Sequence, residues 1–441
     1  MRDAQLRRCL AIADSAAAAG VFIRRFSAAA GCGPAHGVQP LQGVPLTIKG
    51  NIDVAGFVTT AGSRLLANAE PAKEDAPVVA RLRALGARLL GHTNMTEFAF
   101  SGLGINPHYG TPRNPAFPTV RHIPGGSSAG AAVCVALGIA PVALGTDTGG
   151  SVRIPAAFCG VVGFKPTASQ IPMAGVLPLS TSLDCVGLLA TTVADCRTVF
   201  ELIRDPGAAR QVPRAARLPH TLRLAMVRGY VDDDLDPEVE AALAAFCRRL
   251  RDAGVSVSEL VIPEVAGIPS MHAKGTLVAV EAYRWHRHYL QRQAHLYDPR
   301  VLARIQRGAD VSAEHYRDLQ HARAAFADAF SARVAPFDAV VWPTTPISAP
   351  LLDDLADAAV YDRCNLRVLR NSTIANLADG CAISIPSPDS QVPCGITLAA
   401  ARGRDAHLLE VATVIEAILG GRRGVGTVCL RDFAPELASE H

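Results

Sequence analysis

Hydrophobic residues recur along the chain in two alternating patterns, one with helical spacing and one with strand spacing. After the cap-like sequence at 75–77, VVARLRAL has helical spacing and ends at Gly86, and ARLLG follows as a strand. The same order returns at 236–254, where a predicted helix lies between the strand-like runs LRLAMV and VSV, and a further helix is predicted at 405–420. This alternation favours an α/β fold around a mostly parallel or mixed sheet.

Three stretches outside this alternation suggest the domain organisation. The first twenty residues predict an amphipathic helix, because Asp3 and Asp14 interrupt the apolar run that a secretory signal requires. The polar, Pro/Arg-rich stretch 204–220 predicts a linker. The region 220–335 is rich in Arg, His and helix formers, and we expect it to form a helical cap beside the sheet. We interpret 1–441 as a single domain.

Composition and charge narrow the classes of partner. Of the 441 residues, 49% are hydrophobic and 19% are charged, and the net charge is +3. This supplies a large core, and so balanced a charge gives no basis for a nucleic-acid or membrane partner. The longest uncharged stretch, 123–144, is broken by Pro124, Gly130, Gly138 and Pro141, which favours a buried segment over a membrane span. We therefore expect a small-molecule substrate.

The cysteines indicate neither a metal site nor a disulfide framework. Eleven cysteines are scattered from Cys9 to Cys429, and none forms a C-x-x-C pair. Reduced, mostly buried thiols in a cytoplasmic protein are the simplest interpretation.

Two glycine-serine clusters carry the candidate chemistry: PGGSSAG at 124–130 and GTDTGGS at 145–151. The residues between them predict a buried helix and then a short strand, so the chain can fold both clusters towards one site. A nucleotide-binding loop is disfavoured because the chain has no G-x-x-x-x-G-K-[ST] sequence. An aspartic-protease pair fails because the single DTG at 147–149 has no second copy.

Two serines remain as candidate nucleophiles. Ser128 fits the G-x-S-x-G elbow, but an elbow needs an apolar strand before it, and this position has Arg121, His122 and Pro124 instead. Ser151 follows two glycines whose backbone N–H groups could turn towards one point and form an oxyanion hole. The structural alternative is a Gly-rich turn that caps a helix beginning near Val152.

Lys49 is the candidate base. All but four of the 43 basic residues are arginine, so a lysine at the end of the apolar strand GVPLTIK is informative. A desolvated lysine can lose its proton at neutral pH, whereas arginine cannot. The alternative is that Lys49 only neutralises a carboxylate such as Asp53. We expect Lys73 to be a surface residue and Lys165 to support a loop structurally.

These stretches together resemble the amidase signature family of serine hydrolases. The residues that carry the resemblance are GVPLTIKGNIDVAG, GHTNMTEFAFSG, PGGSSAG and ALGTDTGGSVRIPAAFCGVVGFKPT within 41–200, and DAVVWPTTPISAP at 338–350. It implies the amidase signature fold, a central mixed β-sheet flanked by helices on both faces, and a Ser–cis-Ser–Lys triad. Matched position by position, Lys49 is the catalytic lysine, Ser127 the bridging serine beside a cis peptide, and Ser151 the nucleophile.

The resemblance also implies the surroundings of the triad. The backbone positions expected to form the oxyanion hole are Thr148, Gly149, Gly150 and Ser151. The polar residues expected to support the triad are Ser128, Asp147 and Arg153. Two positions depart from the family pattern: Gly50 follows the lysine where an aspartate is usual, and Ala129 replaces a glycine.

The implied reaction is hydrolysis of a small carboxamide or urea-derived amide, through an acyl-enzyme on Ser151 and without a metal or organic cofactor. Such an enzyme could be a homodimer. The alternative is the glutamine-hydrolysing component of a glutamine-dependent amidotransferase, which releases ammonia for transfer-RNA-bound substrates and needs partner subunits. The segment 365–400 is expected to help form the substrate pocket. Its candidate polar residues, each of which has a structural role as its default interpretation, are Arg367, Arg370, Asn371, Asn376 and Asp379.

Overall fold

One eleven-stranded β-sheet runs through the part of the chain that the computed structural model describes, residues 2–27, 39–207, 218–387, 390–420 and 427–438. Its strands are β1 (Phe22–Arg25), β2 (Pro45–Lys49), β3 (Arg88–Thr93), β4 (Val142–Asp147), β5 (Val162–Lys165), β6 (Cys185–Ala190), β7 (Arg223–Arg228), β8 (Ser256–Val261), β9 (Ala339–Pro343), β10 (Cys381–Pro386) and β11 (Gly395–Ala400). Their order is β1-β3-β2-β4-β6-β5-β10-β11-β9-β7-β8. Strand β2 pairs in parallel with β3 and β4, and β7 with β8 and β9, whereas the other neighbours are antiparallel. The predicted mixed sheet is confirmed.

Helices cover both faces of this sheet. They are α1 (Arg2–Ala13), α2 (Pro77–Ala84), α3 (Ala129–Ala136), α4 (Arg153–Cys159), α5 (Val193–Ile203), α6 (Pro237–Asp252), α7 (Pro263–Ala266), α8 (Ile268–His272), α9 (Leu277–Gln293), α10 (Pro299–Gln306), α11 (Ala313–Val334), α12 (Ala358–Leu377) and α13 (Asp405–Leu419). Neighbouring side chains on one strand enter different cores, because they point to opposite faces. On β4, Val142 and Leu144 pack with α5 and α13, whereas Ala143 packs with α3 and α4.

The helices α2, α6 and α13 lie where the hydrophobic pattern predicts them, and Asp236 is the N-cap residue of α6, but neither Asp75 nor Asp236 makes a side-chain cap hydrogen bond. Asp75 accepts a hydrogen bond from the Ala55 amide at 2.8 Å and pairs with Arg83, so it does not cap α2. Asp236 likewise binds the Ser348 amide, at 3.1 Å, and not the first turn of α6. Tertiary contacts compete for these carboxylates and win over the local helix ends.

The region 220–335 is only partly helical. It first contributes β7, α6 and β8, and consecutive helices begin at Pro263 and continue to Val334. The reason is that the runs LRLAMV and VSV lie largely in β7 and β8, which extend the sheet. Of the predicted linker at 204–220, the central residues 208–217 lie outside the described residues.

Candidate active site

Lys49 is held at the point where the parallel strands β2 and β4 end side by side. All five residues of β2 are buried, and Lys49 is 0% exposed. Its Nζ donates hydrogen bonds to Ser127 Oγ at 2.7 Å, to Thr146 Oγ1 at 2.8 Å and to the Thr146 carbonyl at 3.3 Å. Asp53, the alternative partner, accepts instead from Thr59 Oγ1 at 2.5 Å. Lys49 is therefore surrounded by neutral oxygens and does not form an ion pair with Asp53.

Burial changes the protonation of this lysine. It lowers the pKa of Lys49 to about 7, because an ammonium group is poorly solvated in the dry interior. The charges of Asp147 and Asp184 oppose this shift but are weaker than burial. A neutral amine that can accept a proton is therefore abundant near neutral pH.

Ser127 lies in a tightly packed turn. The Gly126–Ser127 peptide bond is cis, and the buried Ser127 carbonyl accepts a hydrogen bond from the Thr96 amide at 3.1 Å. A Cβ atom on Gly126 would lie 2.5 Å from the Gly104 nitrogen, and one on Gly104 would lie 2.1 Å from the Gly125 carbonyl oxygen. Glycine is required on both sides because two backbone segments touch here.

Ser151 belongs to the loop 148–152, which joins β4 to α4. The Asp147 carboxylate accepts hydrogen bonds from the amides of Gly150 at 2.8 Å and Val152 at 3.1 Å, and so bends this loop around itself. Gly150 has φ +123°, and a Cβ atom there would lie 2.2 Å from Ser372 Oγ. Glycine is therefore required at position 150 for two reasons: the positive φ of the backbone and the close approach of α12.

The peptide directions in this loop leave particular N–H groups available. The Gly150 carbonyl accepts from the Ile154 amide at 2.7 Å, and the N–H of the same trans peptide, that of Ser151, points the opposite way, away from α4. Within the described chain, the amides of Gly149 and Ser151 have no intramolecular acceptor, whereas that of Gly150 is bound to Asp147. The Thr148 amide likewise has no intramolecular acceptor there, so three of the four predicted donors are left for a ligand.

Asp147 and Arg153 form a buried ion pair behind the loop. Arg153 binds both carboxylate oxygens, through Nε at 3.1 Å and Nη2 at 2.9 Å, and Asn376 Nδ2 donates to the same carboxylate at 2.9 Å. Burial by itself would raise the pKa of Asp147, but Arg153 and these hydrogen bonds outweigh it and hold that pKa well below its usual range. The anion that holds the loop thus stays charged.

Ser128 has contacts on both sides of the site but lacks the setting of an elbow nucleophile. Its amide donates to the Ser151 carbonyl at 3.1 Å, and its Oγ to the Thr146 carbonyl at 3.3 Å. The residues before it form no strand, only an isolated bridge at His122. Among the described residues no histidine is hydrogen-bonded to Ser128, so the base that an elbow nucleophile requires is not beside it.

Sequence reasoning missed three residues that touch the site: Thr146, Asp184 and Ser372. Thr146 accepts from Lys49, and Ser372 Oγ donates to the Gly149 carbonyl at 2.6 Å. Asp184 accepts from Thr148 Oγ1 at 2.5 Å. One signal was present, because Asp184 is the only charged residue between Lys165 and Asp195.

The other lysines behave as the sequence predicts. Lys73 is exposed. Lys165 is buried and donates to the carbonyls of Pro166 at 2.9 Å and Gly380 at 2.7 Å, so it supports a loop structurally.

The polar residues of 365–400 have intramolecular partners. Arg367 and Arg370 bind the carbonyls of Asp234 and Asp233. Asn371 Nδ2 donates to two further carbonyls, Asn376 joins the Asp147 pair, and Asp379 pairs with Arg402. Their default structural interpretation accounts for these contacts.

The described residues offer no metal site, disulfide or membrane span. No group of three His, Cys, Asp or Glu side chains there could hold a metal ion. The cysteines within the described ranges are all free. No helix in this part of the chain is both long and apolar enough to cross a membrane.

With this geometry established, comparison with known proteins identifies the family. The Amidase family model matches residues 6–409. The chain is 36% identical over 387 residues to 2-amino-5-chloromuconic acid deaminase of Comamonas testosteroni, covering 86% of this chain and 82% of that protein. It is 34% identical over 423 residues to indoleacetamide hydrolase of Pseudomonas savastanoi, covering 92% and 90%. A solved structure of an amidase superposes with a TM-score of 0.81 at 30% identity, covering 94% of this chain and 95% of that one.

The chain therefore belongs to the Amidase family, enzymes that hydrolyse carbon–nitrogen bonds in amides. It is also 34% identical over 417 residues to a glutamyl-tRNA(Gln) amidotransferase subunit of Symbiobacterium thermophilum, covering 86% of this chain and 83% of that protein. The expected amidase signature fold is confirmed.

Proposed function

We propose that this protein hydrolyses a small carboxamide or urea-derived amide to a carboxylate and ammonia or an amine, through an acyl-enzyme on Ser151. The observation that carries the proposal is the 2.7 Å hydrogen bond between the buried Lys49 amine and Ser127, next to a loop that begins at the end of β4 and contains Ser151. A lysine whose pKa is lowered by burial to about 7 is matched to a proton-accepting role at neutral pH.

In the first half-reaction, Ser151 Oγ attacks the substrate carbonyl carbon. Its proton passes to Ser127 Oγ while the proton of Ser127 passes to Lys49 Nζ, and the carbonyl π pair moves onto oxygen. The amides of Gly149 and Ser151 stabilise this oxyanion, and we assign the Gly150 amide to the bond with Asp147 instead. When the oxyanion collapses, the carbon–nitrogen bond breaks and the proton returns through Ser127 to the leaving nitrogen.

In the second half-reaction, water attacks the Ser151 ester and gives its proton to the same Ser127–Lys49 pair. The bond between the acyl carbon and Ser151 Oγ then breaks, and the proton is returned to that oxygen. The products are the carboxylic acid and the free enzyme, and no redox partner is needed. All acid–base steps use one pair of residues, which is consistent with their complete burial.

The glutamine-hydrolysing component of an amidotransferase is the second candidate, because one such amidotransferase subunit is 34% identical to this chain. It would use the same acyl-enzyme chemistry, but the ammonia would pass to a transfer-RNA-bound substrate with the help of partner subunits. For either function we also propose that the whole chain is one catalytic domain, since strands from residue 22 to residue 400 join one sheet.

The test is ammonia release from a panel of aliphatic amides, aryl amides, acylureas and glutamine. Ser151→Ala should abolish turnover of whichever amide is hydrolysed, because its acyl bond can no longer form. Ser128→Ala, the matched control, loses one 3.3 Å hydrogen bond and should keep much of its activity. An active Ser151→Ala protein, or the opposite ranking, would contradict the assignment. Activity on glutamine only after partner subunits are added would favour the second candidate.

A further inference from the structure

Asp184, at the end of the loop before β6, touches the start of the Ser151 loop but has no role in the mechanism above. We propose that Asp184 is a positioning residue that holds the Thr148 side chain and so fixes where the oxyanion-binding loop begins. This inference rests on the proposed function, because its effect is measured through turnover.

The contacts of Asp184 are fully specified. Its Oδ1 accepts a hydrogen bond from Thr148 Oγ1 at 2.5 Å. Its Oδ2 accepts from the amides of Leu179 at 2.8 Å and Ser180 at 3.0 Å. The residue is only 7% exposed. A buried carboxylate with three donors in fixed directions is a rigid support, because releasing any one donor leaves a charge poorly solvated.

The segment that donates to Asp184 is itself held by a second buried carboxylate, that of Glu281. Glu281 of α9 accepts hydrogen bonds from Ser180 Oγ at 2.5 Å, from the Ser182 amide at 3.0 Å and from Tyr316 of α11 at 2.8 Å. Glu281 is 7% exposed. Two buried carboxylates in series therefore connect the helices α9 and α11 to Thr148.

Asp184 complements Asp147 across the loop. Asp147 binds the amides of Gly150 and Val152, which lie at and beyond the middle of the loop. Thr148, the first residue of the loop, is held by its side chain, because its Oγ1 donates to Asp184. If Thr148 turns, the next peptide, which carries the Gly149 N–H, turns with it. Asp184 thus acts on the Gly149 amide, a donor that Asp147 does not hold.

The charge of Asp184 gives it a second, separable effect. Burial raises the pKa of Asp184 to about 6, and its anion favours the protonated form of Lys49. The other groups that act on Lys49 are Asp147, which is paired with Arg153, and the Cys185 thiol, whose pKa burial raises to about 12. Asp147 therefore remains an anion and Cys185 remains neutral through the neutral range.

Substitutions at Thr148 test the hydrogen bond without removing the charge. Thr148→Val keeps the shape of the side chain but loses the hydroxyl, and we expect kcat to fall about tenfold to a hundredfold with little change in KM. Thr148→Ser, which keeps the hydroxyl, should restore kcat to within about threefold of wild type. The acidic limb of the pH profile should stay in place for Thr148→Ser, which keeps the hydrogen bond that lowers the pKa of Asp184.

Asp184→Asn tests the charge and the hydrogen bond together. We expect a comparable loss in kcat, with the acidic limb of kcat/KM moved to lower pH by about half a unit or more, because Lys49 loses a neighbouring anion. The matched control is Asp195→Asn: Asp195 is also buried, its pKa is also raised, and its carboxylate binds the Leu430 amide far along the chain. That variant should keep the position of the limb. Circular dichroism and thermal unfolding identify the folded variants.

The outcomes separate this inference from the proposed function. Equal kcat in Thr148→Val, Thr148→Ser and wild type would overturn the positioning role, even if Ser151→Ala is inactive. An unmoved acidic limb in folded Asp184→Asn would overturn the charge effect. Were Asp184→Asn unable to fold, the two Thr148 variants would decide the matter alone. An active Ser151→Ala enzyme would instead reject the proposed function itself.

Discussion

Lys49 Nζ lies 2.7 Å from Ser127 Oγ, although the two residues are 78 positions apart in the chain. Both side chains are completely buried, and the remaining donors of the amine go to Thr146. A hydrogen bond between an amine and a hydroxyl away from water can pass a proton in either direction once the amine is neutral. Histidine is therefore not needed as the base at this site.

The pH dependence of turnover should follow Lys49. Its pKa in the folded protein is lowered to about 7, and only the neutral amine accepts a proton. We expect kcat/KM to rise with pH through about 7 and then to level off. Initial rates between about pH 5 and 9, with unfolding checked at each end, measure this. A profile that is flat through the neutral range would contradict the assignment of the base.

Lys49→Arg should be inactive although it retains a positive charge. An arginine keeps its proton throughout the accessible pH range, so it cannot accept one from Ser127. We expect kcat to fall by at least about 10³-fold, since general-base catalysis is lost. The control is Lys165→Arg. Lys165 is a buried lysine bonded only to carbonyls in the described structure, so this variant should be less stable but keep the pH dependence of its turnover. Substantial turnover by Lys49→Arg would contradict the proposed proton relay through Lys49.

Arg153→Met should strongly destabilise the protein. It leaves the Asp147 carboxylate buried without its cation, which costs about 3–5 kcal/mol in the free energy of unfolding. Arg402→Met is the control, because the Arg402 side chain that pairs with Asp379 is exposed and should contribute about 0–1 kcal/mol. Chemical denaturation monitored by circular dichroism compares the two. If Arg153→Met and Arg402→Met had equal free energies of unfolding, the buried Asp147–Arg153 pair would not be what holds the Ser151 loop.

Gly150→Ala should abolish activity and destabilise the fold. The new Cβ atom would collide with Ser372, and φ +123° is unfavourable for alanine. Gly160→Ala is the matched control at the end of α4, where φ is +69° and the nearest atom to a Cβ is 3.8 Å away. It should cost about 1 kcal/mol and leave turnover nearly unchanged. Measuring kcat and unfolding for both separates the collision from the cost of positive φ alone.

Close packing should explain why glycine stands at position 50, where an aspartate is usual in the family. A Cβ atom at this position would lie 2.7 Å from Ile23 Cδ1 and 3.1 Å from the Thr93 carbonyl oxygen. Gly50→Asp should therefore lower the midpoint of thermal unfolding, and Gly50→Asp combined with Ile23→Ala should recover part of the loss, because the larger clash is with a side chain. If the second substitution gave no recovery, Ile23 would not be what excludes the aspartate.

Much of the site could be predicted because its residues are unusual for their surroundings. Lys49 is one of four lysines in a chain rich in arginine, and Ser151 follows two glycines at the end of an apolar strand. The roles of Ser372 and Asp184 could not be found in this way. Ser372 lies 223 residues from Gly149, whose carbonyl it contacts, and no local pattern marks which turn of α12 meets that loop. The catalytic roles of Lys49, Ser127 and Ser151 stay predictions that the variants above test.

The sequence by itself determined the alternation of strands and helices, the position of α6 and α13, and the family to which the chain belongs, because periodicity and local residue chemistry are written into short segments. Tertiary structure alone decided where Asp75 and Asp236 direct their carboxylates, which loop amides remain available, and how far burial lowers the pKa of Lys49. Each of these depends on groups that are distant in the chain and adjacent in space. Solvation and hydrogen bonding act across space, and so only the folded arrangement can fix them.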